Sequence, residues 1–146
     1  MRKAAIIGLW MALCGLSAHA QTLSDNARVI GNELGTEELT VKQLRRALRG
    51  EIALWPGSKK SVTVVLHAMS MEEECSQTAQ FVVASPRPAV LQKYWLGKVF
   101  EGRANPPIFV RSEAELIEQV ASIPGAIGIV YDAIAPPDLR IKVRRE

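Results

Sequence analysis

Short apolar runs rich in β-branched residues alternate with longer stretches that repeat at helical spacing, and this alternation limits the folds open to the chain. "SVTVVL" (Ser61 to Leu66) and "AIGIVY" (Ala126 to Tyr131) read as buried strands, and Ile108 to Val110 as a shorter one. Arg28 to Ile30 and Leu139 to Val143 are candidate strands near the two ends. Thr40 is a good N-cap for "VKQLRRALRG", where Leu44, Ala47 and Leu48 share one face and Gly50 suits the stop. Ser70 is placed to cap a helix from about Met71 to Val83, which "SPRP" (Ser85 to Pro88) breaks. A further helix reaches Phe100 with Leu91, Tyr94, Trp95 and Val99 on one face. Ser112 and Glu115 form a capping-box pattern ahead of Leu116, Ile117 and Val120, a helix expected to end near Ser122. Strands separated by helices predict an α/β domain with a mixed or mostly parallel sheet flanked by helices. Trp95, Val99, Leu116, Ile117, Val120, Ile127 and Ile129 are its expected core.

The first twenty residues read differently. Arg2 and Lys3 precede an almost unbroken apolar run, Ala4 to Leu16, and Ala18-His19-Ala20 supplies a small-residue cleavage pattern before Gln21. That is the layout of a secretory signal peptide, so 1–20 are expected to be removed and 21–146 to form the folded domain. The run falls short of the roughly 20 residues a membrane span needs. Bulky Leu13 before Cys14 argues against lipid attachment there. The whole chain carries 18 Lys and Arg against 15 Asp and Glu, and without Arg2 and Lys3 the balance is close to neutral. Composition therefore implies neither a nucleic-acid partner nor a general affinity for acidic surfaces.

Chemistry-bearing residues are sparse. After residue 20 the chain has one histidine, His67, and one cysteine, Cys75. One thiol makes no internal disulfide, although Cys75 is open to an intermolecular one. One His and one Cys make no four-ligand structural metal site by themselves, so no metal or cofactor is expected. GxSxG, Walker, GxGxxG and HExxH patterns are absent. Glu72, Glu73 and Glu74 are adjacent and point in different directions on a helix, which makes them a poor acid/base pair. The expectation is a protein that is not an enzyme.

Three segments carry a resemblance. "LTVKQLRRALRGEIALWPG" (Leu39 to Gly57), "YWLGKVFEGRANPP" (Tyr94 to Pro107) and "VASIPGAIGIVY" (Val120 to Tyr131) occur in the order found in one lobe of the phosphate-binding proteins of ABC transporters. The last is similar to that family's "TPGAIGYV" pattern. The chain most resembles small exported proteins made of a single such lobe. The resemblance implies half of a type II periplasmic binding protein, located in the periplasm of a Gram-negative bacterium. It also implies a Ser-Gly-Thr-type loop before a helix, whose hydroxyls and amides hold phosphate. Aligned by the preceding strand, that loop falls on "HAMSMEEE", where Ser70 alone keeps a hydroxyl. The implied anion contacts are Ser70, the amides of Met71 and Glu72, and Arg103 in "EGRANPP". Glu72 to Glu74 complement the positive end of a helix, and the same charges oppose a phosphate there. Two partners follow as alternatives: a small anion such as phosphate, held weakly by one lobe, or another envelope protein docked on a face that has lost solute binding.

Overall fold

The computed structural model describes residues 23–67 and 76–145. Along the chain run β1 (Arg28–Gly31), β2 (Glu38–Thr40), α1 (Val41–Leu48), β3 (Thr63–His67), α2 (Gln77–Val83), α3 (Pro88–Phe100), β4 (Ile108–Val110), α4 (Glu113–Ser122), β5 (Ala126–Val130) and β6 (Arg140–Arg144). The strands form one mixed sheet in the order β2-β6-β1-β5-β3-β4. β3 lies parallel to β4 and to β5, and β2 parallel to β6, while β1 is antiparallel to both its neighbours. The α/β architecture expected from the alternation is the one observed.

Helices cover both faces of the sheet. α4 packs on β1, β3, β4 and β5, closing a core of Ile30, Val65, Val110, Leu116, Val120 and Val130. The opposite face carries the larger core, in which Leu44, Leu48, Phe81, Leu91 and Trp95 meet Val64, Leu66, Ile127 and Ile129. All five residues of β5 are buried, which is why "AIGIV" has no polar side. The "PGAIG" turn is pinned from two sides. Trp55 donates its indole N–H to the Gly125 carbonyl at 2.8 Å, and the Gly125 amide donates to the Asn32 carbonyl at 2.7 Å. A side chain is barred at Gly125, where φ is +86° and a Cβ would lie 2.2 Å from the Ser61 oxygen.

Local caps explain most boundaries. Thr40 and Gln43 form a reciprocal box at the start of α1. Gly50 takes φ +72° just past its end. Arg45 of α1 and Arg49, which caps its end, reach carbonyls at the end of α2, donating to Phe81 O at 3.2 Å and Val82 O at 2.9 Å. Burial lowers the Arg45 pKa from its usual value, and neighbouring Arg49 lowers it further.

Three expectations need correction. The helix expected to run from Met71 does not continue through Ser76, whose backbone is extended; α2 starts at Gln77 and Ser76 is its cap, with Oγ accepting the Ala79 N–H at 3.1 Å. β2 is an additional strand, paired with β6 at the edge of the sheet. Val99 and Ile117 are half-buried rather than core, Ile117 packing against the edge of the α4-side cluster. The other five expected core residues are buried.

Candidate functional site

Because β3, β4 and β5 are parallel, their carboxyl ends at His67, Val110 and Val130 share one edge of the sheet. Open α/β sheets bind ligands along such an edge. α4 starts there. Its cap, Ser112, accepts the Glu115 N–H at 3.1 Å, and the Glu115 carboxylate reaches back to the Arg111 N–H at 3.2 Å. His67 Nε2 stands 3.1 Å from the Arg111 carbonyl oxygen, so the ring nitrogen donates in that contact.

Glu113 is the most fully engaged acid of this edge. Its carboxylate accepts from three successive amides beyond β5: Tyr131 at 2.8 Å, Asp132 at 2.9 Å and Ala133 at 2.7 Å. Successive N–H groups converging on one anion form a nest, and here the chain's own side chain fills it. The adjacent Tyr131 phenol is pushed up to about 12, mainly by burial and in part by the Glu113 charge, against the opposing effect of its hydrogen bond to Thr78. Thr78 Oγ1 donates to that phenol oxygen at 3.2 Å. Ser76 is buried, its amide donating to Pro86 O. Among the described residues, the donors and hydroxyls at this edge are therefore largely committed within the protein.

Ser70, Met71 and Glu72, named from the sequence as anion contacts, lie outside the described residues, as do Glu73, Glu74 and Cys75. Arg103 is exposed in the loop after α3 and pairs with Glu101 at 3.2 Å. It lines a cavity of about 170 Å³ with Trp95, Ala104, Val62 and Val64. Those valines flank the start of β3, whereas 68–75 follow its far end at His67. A larger, open groove of about 1250 Å³ runs along β1 and β6. It carries charges of both signs, including Asp25, Arg28, Glu33 and Arg140, and lies away from the parallel strand ends.

Sequence reasoning missed Ser76, Thr78, Glu113 and Tyr131. A usable signal existed for the first two: Ser76-Gln77-Thr78 has a Ser-x-Thr spacing at the start of a helix, with Ser76 as the cap and Thr78 in the first turn. Among the described residues there is no group of three or more His, Cys, Asp or Glu able to hold a metal ion. No described helix is long and apolar enough to cross a membrane.

No family model matches the chain, and no curated protein matches it. Among solved structures it is similar to an ABC-type phosphate transport receptor from Vibrio cholerae, with a TM-score of 0.50 and 15% sequence identity. The likeness covers 80% of this chain and 45% of the receptor, so the chain spans less than half of that protein's length. At this identity the likeness is one of fold: over the matched residues the chain shares the α/β architecture of part of that receptor.

Proposed function

We propose that the chain is a non-enzymatic binding module, exported to the periplasm, in which a single receptor-type lobe holds a small oxyanion such as phosphate weakly. The observation that carries this reading is the similarity of fold, over most of the chain, to part of a phosphate transport receptor. The expected weakness is that of one lobe acting by itself: closure of two lobes removes a ligand from water, and the matched 45% of the receptor corresponds to one wall of such an enclosure. The proposed contacts are Ser70 and the amides of Met71 and Glu72, in the segment that follows the carboxyl end of β3. Arg103, paired with Glu101 in the loop after α3, lines a cavity by the start of β3 and is left out of the proposed contacts. Calorimetry of residues 21–146 against phosphate, sulfate and nitrate is the test. A dissociation constant of about 1 mM or weaker for phosphate is expected. Complete absence of heat with all three anions would remove the proposal.

A second reading is favoured by the nest. With Glu113 in the amides of Tyr131 to Ala133, and Ser76 and Thr78 engaged internally, the strand-end face suits contact with another envelope protein as well as with a solute. Crosslinking in intact cells from Asp132, an exposed residue of this face, distinguishes it: a discrete protein adduct together with silent calorimetry supports the adaptor role.

A further inference from the structure

Charge is segregated by the fold in a way that the near-neutral composition hides. α1, α2 and α3 contain no carboxylate; they carry Lys42, Arg45, Arg46, Lys93 and Lys98. α4, on the other side of the sheet, carries Glu113, Glu115 and Glu118 and no cation. The basic layer also exposes apolar surface. α3 buries Leu91 and Trp95, yet its outward stripe is Ala89, Val90, Lys93, Leu96, Gly97 and Phe100, all exposed. Leu96 is 58% and Phe100 82% exposed, large values for side chains one helical turn apart. A side chain added at Gly97 would meet nothing within 4 Å, so the middle of the stripe is open. A helix apolar on every side normally has both sides covered, and among the described residues only the inner side of α3 is.

We infer that the outer face of α3 docks on an anionic lipid surface. The stripe is a convex ridge rather than a groove, so it enters a soft interface instead of receiving a peptide. Lys93 sits within the stripe and Arg87 precedes the helix, while Arg49 and Lys98 stand 5.1 and 5.7 Å from the centre of the Tyr94 ring on the flank of α3. Among the described residues, the carboxylates at the two ends of α3 and past the end of α1 are Glu101, paired with Arg103, and Glu51, paired with Arg46 and Arg49. Lysine stems lie along apolar surface while their ammonium groups reach the headgroups, and Phe100 and Leu96 enter the acyl boundary. A second copy in this position would bring two basic layers together, and the charge opposes it. This docking is independent of the anion site at the strand ends.

Vesicle flotation tests it, with phosphatidylcholine alone and with about 30% phosphatidylglycerol. All variants share the residues before Leu23, so differences between them report on α3. The wild type should partition at least about tenfold better onto the anionic vesicles, with the gain reduced at high salt. Leu96→Gln with Phe100→Gln, and separately Lys93→Glu with Lys98→Glu, should each lower that partition by about tenfold. Glu118→Gln on α4 should leave it unchanged. Unaltered circular dichroism is expected for all of them, since the changed side chains are exposed or half-exposed. Equal partition onto uncharged vesicles, insensitivity to both α3 pairs, or capture by an acidic protein with no vesicle binding would each overturn the inference.

Discussion

Glu113 shows how one carboxylate can determine what an edge of this fold is able to do. It satisfies three amides that would otherwise need water or a ligand, and it ties the start of α4 to the chain leaving β5. Glu113→Ala should cost about 1–3 kcal/mol in a urea titration, because Tyr131 and Ala133 are half-buried and water recovers only part of the loss. Glu113→Gln keeps an acceptor and should cost less. Tyr131 gives a test in pH. Its proton is held more tightly in the folded chain than in the unfolded one, whose tyrosine value is 10.0. The resulting stability is complete below pH 10 and is lost as pH rises toward about 12. Denaturant midpoints measured from pH 9 to 12 should fall more steeply for the wild type than for Tyr131→Phe. Parallel curves would mean that the phenol is not buried as described.

At the scale of elements, the strands were legible wherever apolar runs were bounded by turn residues: β4 lies on the expected residues, and β3 and β5 are displaced or shortened by one or two. β2 was not, because three residues, Glu38-Leu39-Thr40, show no period, and Thr40 serves at once as strand end and helix cap. The start of α2 was misplaced for another reason. Ser70 and Ser76 carry the same local capping signal, and what supports Ser76 is tertiary: it is buried and its amide donates to Pro86 O. Ser76→Ala should therefore cost about 1 kcal/mol, the usual loss for a removed cap. A change near zero would contradict the cap. α3 misled in the opposite direction, since a helix apolar on every side does not declare which face is inner; Val99 was expected in the core and is half-exposed. Ile129 of β5 is 3% exposed between β1 and β3, and Ile129→Ala should cost about 2–5 kcal/mol. A cost below about 1 kcal/mol would mean that β5 is not central.

For the molecule as a whole, the alternation of strand and helix determined the class, but strand order and register depend on pairings distant in sequence, such as β1 between β5 and β6. The separation of basic α1–α3 from acidic α4 likewise exists only once the sheet places them on opposite faces. Of the strand-end edge, the strands themselves were legible, while its occupation by Glu113 depends on residues 18 to 20 positions away in the chain. We propose a weak oxyanion site at the carboxyl ends of β3, β4 and β5. Amide nuclear magnetic resonance spectra of residues 21–146, recorded as phosphate is raised to about 50 mM, test it most directly. Saturable shifts are expected in 68–78, at His67, and at Arg111 to Glu113. Unchanged spectra, or shifts confined to the cavity that Arg103 lines with Trp95, would contradict it.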